Sequence, residues 1–125
     1  MYLPVTASTA FSADSLVSFT SGYLVPATSS SASADIVGVI RHTIASTDSD
    51  YATARLVEVQ VPVERNTEWI MDVTSGLVAA DVLKEVDLTD ASTVNRGASL
   101  VKAVRATSVI SSTSGTFLIK FLGSY

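Results

Sequence analysis

The sequence predicts an all-β fold, a small barrel or sandwich over residues 14–125 behind an extended N-terminal arm at 1–13. Three observations carry this prediction. From Leu16 onward, short apolar runs are separated by clusters of Ser, Thr, Asp and Gly, the spacing of a many-stranded β domain. Over 55–64, Val57, Val59, Val61 and Val63 alternate with Glu58, Gln60, Pro62 and Glu64, the period of two of a half-buried strand. Near the C-terminus, Phe117, Leu118, Ile119, Phe121 and Leu122 are interrupted only by Lys120, which fits a strand covered on both sides.

Residues 1–13 are rich in Thr, Ala and Ser, with Pro4 and weak periodicity, and read as an arm. Strands are predicted at 16–19, 23–27 and 36–44. In the strand at 55–64, Pro62 has no N–H to donate, so the strand lies at an edge or is bulged there. The next strand, 67–74, sets Trp69, Met71 and Val73 against Glu68, Asp72 and Thr74. A hairpin joining these two strands needs an odd loop, such as 65–67. That loop pairs Val63 with Trp69, Val61 with Met71 and Val59 with Val73, whereas a slip of one residue would mix valines with acids. Residues 78–88 fit either period and are assigned to strand; further strands follow at 100–110 and 116–122. A faint internal echo runs alongside. Residues 21–25 resemble 75–78, and 34–43 resemble 98–107, with Arg41 matching Arg105 and Thr43 matching Thr107.

The 125 residues allow one domain with one useful core, and 47% of them are hydrophobic. Only 16% are charged, against roughly 25% in an average domain. Ser and Thr make up about a quarter of the chain in their place. Hydroxyls solvate a surface without charging it, which suits an exterior packed against neighbours. The net charge of -4, with basic residues scattered singly, leaves no footprint for nucleic acid or an anionic membrane. Cysteine is absent, so disulfides and thiolate metal sites are excluded. The first residues lack the basic segment and apolar run of a signal peptide, and no apolar stretch has the length of a membrane helix, so the chain reads as soluble.

Catalytic chemistry finds little to use. The single histidine, His42, sits in an apolar run without a triad signature and reads as a hydrogen-bonded barrel residue rather than a general base. Asp48 with Asp50, and Asp87 with Asp90, are the oxygen-rich loops closest to a calcium site, but neither continues to a bidentate Glu. Trp69, Tyr51 and Tyr23 could form a sugar-stacking platform. Trp69, however, shares its strand face with Met71 and Val73 and reads as core, while Tyr51 lies in a polar segment and reads as exposed. Tyr2 and Leu3 on the arm are apolar groups that gain stability only by docking on something.

The run Gly22-Tyr23-Leu24-Val25-Pro26-Ala27 followed by Ile36-Val37-Gly38-Val39 carries a resemblance. So do Ala80-Asp81-Val82-Leu83, the Asn95-Arg96-Gly97 turn, and Gly115-Thr116 leading into the last strand. Over roughly residues 16–123 the chain resembles the small tailed-phage capsid decoration, or cement, proteins. It departs from them where Ala80 precedes Asp81 in place of the family's Gly. The resemblance implies a compact β-barrel or β-tulip domain, assembled as a homotrimer on the outer surface of a virion capsid. It further implies an N-terminal arm that grips the major capsid protein, here through Tyr2, Leu3 and Val5. It implies no enzyme activity, no cofactor, no metal and no small-molecule substrate, and synthesis in the host cytoplasm. A carbohydrate-binding sandwich and a tail or fibre component are the alternative readings.

Overall fold

The computed structural model describes residues 1–32, 34–61, 68–74 and 76–119. Its elements are strands β1 (Tyr2–Pro4), β2 (Leu16–Thr20), β3 (Tyr23–Pro26), β4 (Ile36–Ile40), β5 (Leu56–Gln60) and β6 (Glu68–Val73). A 3-10 turn, Ala79–Asp81, precedes β7 (Glu85–Leu88), β8 (Thr93–Asn95), β9 (Val104–Ser111) and β10 (Ser114–Ile119). The all-β prediction is correct: among the described residues there is no α-helix. The strands form two groups of five. The first is a sheet in the order β1-β5-β4-β2-β3, and the second is a closed barrel, β10-β6-β8-β7-β9. A parallel bridge between Val5 and Leu24 joins the outer strands of the first sheet, so that it too curls into a barrel.

The two barrels share one topology. In each, the first strand pairs antiparallel with the fifth, the fifth with the fourth, the fourth with the second and the second with the third. In each, the first meets the third in parallel, as Val5 with Leu24 and as Val73 with Val94. The hydrogen bonds agree in detail. Thr6 donates its N–H and hydroxyl to the Leu24 carbonyl at 2.9 and 2.8 Å; Thr74 does the same to Val94 at 2.9 and 3.2 Å. Asp14 donates to the Ile40 carbonyl at 2.7 Å, and Leu83 to Ala106 at 2.7 Å. Both donors are left-handed, with φ of 66° and 72°. The ladders thus equate Ile40 with Ala106. Of the sequence echoes, 34–43 against 98–107 does fall on the equivalent strands β4 and β9, though two residues out of register. The other joins β3 to the segment after β6, which are not equivalent.

Period-two burial builds each barrel. Val5, Val17, Leu24, Ile40, Val57 and Val59 fill the first, with Phe11 and Ile44 packed beside them. Met71, Val73, Val86, Leu88, Val94, Val104 and Phe117 fill the second. Leu16, Ala27, Ile36 and Val39 turn from the first barrel into the core of the second, and the Leu16 amide donates to the Ala91 carbonyl at 2.7 Å. One continuous apolar cluster therefore ties the halves together. Ser21 and Gly22, both at positive φ, make the two-residue turn between Thr20 and Tyr23 that a tight hairpin requires. Gly38 lets β4 and β5 approach closely, since a Cβ there would stand 2.4 Å from the Gln60 carbonyl oxygen.

Several expectations are corrected. The hairpin of β5 with β6 does not form: Val59 pairs with Ile40, and Met71 with Gly115. Alternation assigned the right faces, but burial was satisfied by closing each strand into its own barrel. Val63, Pro62 and the predicted loop at 65–67 lie outside the described residues, as do Lys120, Phe121 and Leu122. The strand predicted at 78–88 is a 3-10 turn up to Asp81 and a strand only from Glu85. Residues 100–103 precede β9 as a loop, because Asp87 captures the amides of Leu100, Val101 and Lys102. The predicted strand at 36–44 ends at Ile40, and Ile44 returns only as an isolated bridge to Phe11.

Candidate functional site

The first five residues alternate, with Leu3 and Val5 facing inward and Tyr2 and Pro4 outward, so the chain start has the pattern of a half-buried strand. β1 adds to β5 with Tyr2 opposite Glu58, Leu3 opposite Val57 and Pro4 opposite Leu56. The Val59 amide donates to the Met1 carbonyl at 2.8 Å and the Val5 amide to Arg55 at 3.0 Å. The segment read as an arm is thereby laid along the body. Val5 is 2% exposed and Leu3 packs on the same cluster, whereas Tyr2 is 67% exposed. Of the three residues the sequence placed at a capsid contact, Tyr2 is the one on the surface. The signal for a strand was the alternation itself, hidden by the Thr, Ala and Ser that follow.

Leu56, exposed at 64%, lies beside Tyr2 on the outward face, diagonal to it across the ladder of β1 and β5. Together they form an apolar patch on adjoining strands. Beside the patch a shallow cleft of about 340 Å³ is lined by Tyr2, Arg41, His42, Arg55, Leu56 and Glu58. Arg41 is ion-paired with Asp14 at 2.8 Å, at the surface. Arg55 is bracketed by Asp50, which accepts from its Nη1, and by Asp48 at 3.8 Å from Nη2. His42 stands exposed just past the end of β4, not inside the barrel as its apolar run had implied. Apolar side chains ringed by paired charges give this face an apolar centre and a polar rim.

The carboxylates singled out in the sequence hold the protein's own groups. Asp48 accepts the Ala45 amide at 3.0 Å and helps to seat Arg55. Asp87, buried, accepts three amides, from Leu100, Val101 and Lys102, at 2.9, 3.0 and 2.8 Å. Asp90 accepts the Ser92 amide at 2.9 Å, and that bond lowers its pKa. Among the described residues no cluster of three such ligands occurs. A second cleft, of about 640 Å³, contains Asp81, Glu85, Arg96, Lys84 and Lys102. There Arg96 grips Asp81 in a two-pronged contact, Nε to Oδ2 and Nη2 to Oδ1, both 3.1 Å. This guanidinium, with the Val78 amide behind it, holds the buried Asp81 carboxyl below the usual carboxylate range. A glycosidase acid needs the opposite shift, and Glu85 is committed to Arg105 at 2.7 Å. The aromatics do not assemble a stacking platform either. Tyr23 is exposed on β3, while Trp69 and Tyr51 are half-buried against different core clusters, Tyr51 less exposed than its polar segment had implied. No helix among the described residues is long and apolar enough to cross a membrane. No protein-family model matches the chain, and no curated protein matches it significantly.

Proposed function

We propose that this chain is a structural virion protein that binds the outer surface of a tailed-phage capsid and stabilises the shell as a decoration protein. The observation that carries the reading is the patch of Tyr2 and Leu56, large apolar side chains held out by paired strands rather than by a loose tail. A surface fixed in advance loses little conformational entropy when it docks. Its partner is the major capsid protein. The chain works by mass action: it binds the assembled lattice and not separated subunits, so every bound copy shifts the equilibrium toward the shell. Assembly as a homotrimer would link three such patches and raise the effective concentration of each.

Removing residues 1–10 is a poor test, because it would also remove β1 and the buried Val5. Tyr2→Glu combined with Leu56→Glu leaves the ladder intact and charges only the patch. Co-sedimentation with capsids stripped of this chain should fall at least tenfold for the double variant, with an unchanged unfolding curve. Full binding by the variant would refute the patch as the contact. No sedimentation of the unaltered chain would refute the decoration reading itself.

A further inference from the structure

The equivalence of the two barrels extends to the face by which they join. Leu16 of β2 and Val39 of β4 are partners in the first barrel and pack into the core of the second. Counted along the ladders from Ile40 and Ala106, their counterparts are Glu85 of β7 and Arg105 of β9, also partners. Ala27, three residues beyond Leu24, and Ile36, three before Val39, complete the joint in the first barrel. The same steps from Val94 and Arg105 lead to Gly97 and Lys102. The second barrel thus leaves open the face that the first one buries, with an ion pair in place of two aliphatic side chains. The cleft of about 640 Å³ lies on this open face, lined by Asp81, Lys84, Glu85, Arg96, Gly97 and Lys102 among others.

Two buried carboxylates hold the walls of this cleft. Asp81, 2% exposed, grips Arg96 with both oxygens, and its backbone carbonyl accepts the Lys84 amide at 3.0 Å. Asp87, 4% exposed, accepts the Lys102 amide at 2.8 Å and fixes that residue at φ 58°. In the first barrel the positions of Asp81, Lys84 and Asp87 are Ser12, Ser15 and Ser18, so the shared framework closes without these charges. Buried ion pairs add little net stability over well-packed uncharged residues, so stability alone does not account for the charges. Asp81 is neutralised by Arg96, and Glu85 by Arg105 at 2.7 Å. Two lysines are left over. Lys84, 62% exposed, stands 3.9 Å from Asp81, beyond hydrogen-bond distance, and Lys102 enters none of the ion pairs among the described residues.

We propose that this cleft docks an acidic segment of a partner protein, whose carboxylates meet Lys84 and Lys102. The fixed carboxylates of Asp81 and Glu85 in its walls repel a dense polyanion, so separated carboxylates suit it better than the phosphates of a nucleic acid. A second copy of this chain fits less well, because the core of a homodimer interface is apolar and depleted of charge. The site is on the second barrel, whereas Tyr2 and Leu56 are on the first, so it stands independently of the decoration reading.

The test uses the full chain and a short fluorescein-labelled peptide of alternating Glu and Gly, titrated at low ionic strength and followed by anisotropy. The peptide should bind, and added salt should weaken it. Lys84→Gln combined with Lys102→Gln should weaken binding at least fivefold and leave the unfolding midpoint unchanged, since both side chains are at the surface. Amide resonances of Gly97, Ala98 and Ser99 should shift on titration. No binding of the peptide, equal binding by the double variant, or resonance shifts only outside the cleft would each overturn the inference and leave the decoration reading in place. Tighter binding of a thymidine oligonucleotide of matched length would overturn carboxylates as the ligand. Sedimentation of the unaltered chain as a dimer, made monomeric by the double variant, would assign the cleft to a second copy and overturn the partner segment.

Discussion

The Asp87 carboxylate is the cheapest place to test whether this fold is held by its polar anchors as well as its valines. Its Oδ1 accepts from Val101 and Lys102, and its Oδ2 from Leu100. Asp87→Asn preserves the shape, and the amide can keep its oxygen toward the first two donors. Its nitrogen then faces the Leu100 N–H, donor against donor. A hydrogen bond to a charged group contributes about 1.5–3 kcal/mol, and Leu100 is 91% exposed, so water recovers part of the loss. The expected cost of Asp87→Asn is about 1–2 kcal/mol. Asp87→Ala loses all three bonds. The sum is not additive, because the freed loop rehydrates and Lys102, at φ 58°, relaxes from a conformation that costs about 1–2 kcal/mol. About 3 kcal/mol is expected for the alanine variant.

Urea unfolding followed by fluorescence of Trp69, the only tryptophan, measures both variants. The midpoints should fall in the order unaltered chain, Asn, Ala, with slopes unchanged. Thermal midpoints should drop by roughly 4 °C for each kcal/mol in a chain of this size. Equal losses for Asn and Ala would mean that charge, not geometry, carries the loop. A loss below about 0.5 kcal/mol for Ala, the range of ordinary surface substitutions, would refute the anchor altogether.

Three further outcomes are expected. Gly38→Ala forces a Cβ against the Gln60 carbonyl and the Val59 side chain, and should cost about 1–3 kcal/mol in a chemical denaturation curve. Leu83→Asn should raise stability by roughly 0.5–1 kcal/mol, since Leu83 is exposed and left-handed where the equivalent residue of the first barrel is Asp14. The folded pKa values of Asp81 and Asp90 are lowered, so their contribution is complete above the unfolded value of about 3.9 and is lost as pH falls through the folded values. Unfolding midpoints should therefore decline below about pH 4, less steeply in Asp81→Asn than in the unaltered chain.

Which side chains face inward was legible wherever alternation was strict, at Val57 and Val59 in β5 and at Met71 and Val73 in β6. Which strands pair was not. Period two assigns a face and says nothing about whether the neighbour is the next strand or one forty residues away. Two local interactions also overrode pattern. Asp87 pulled the amides of Leu100, Val101 and Lys102 into a loop where the apolar residues alone predicted strand, and Asp81, accepting from Val78 and Arg96, curled 79–81 into a 3-10 turn. At the candidate site Tyr2 was found from composition, but Leu56, 54 residues away in sequence, was visible only once β1 and β5 were paired.

The pairing of two like barrels bears on how such a chain can be stable while presenting large apolar side chains to solvent. What the halves share is framework: the parallel contact of first and third strands, the threonine that caps it, and the left-handed residue that turns the chain into the second strand. Each satisfies backbone groups that would otherwise be left bare. What the halves do not share lies on the outside. Tyr2 on β1 keeps an exposed apolar counterpart in Ile70, 73% exposed, but Leu56 on β5 projects where the second barrel has Ser114. Beyond the fourth strand, Phe11 on the Ile44 carbonyl in the first barrel is answered by Leu77 on the Ser112 carbonyl in the second, both buried. An apolar group released from the surface of a closed barrel costs little folding stability, because the interior is already complete without it. A barrel whose interior is complete can therefore turn Leu56 outward without opening its core, because Val57 and Val59 on the same strand already fill it.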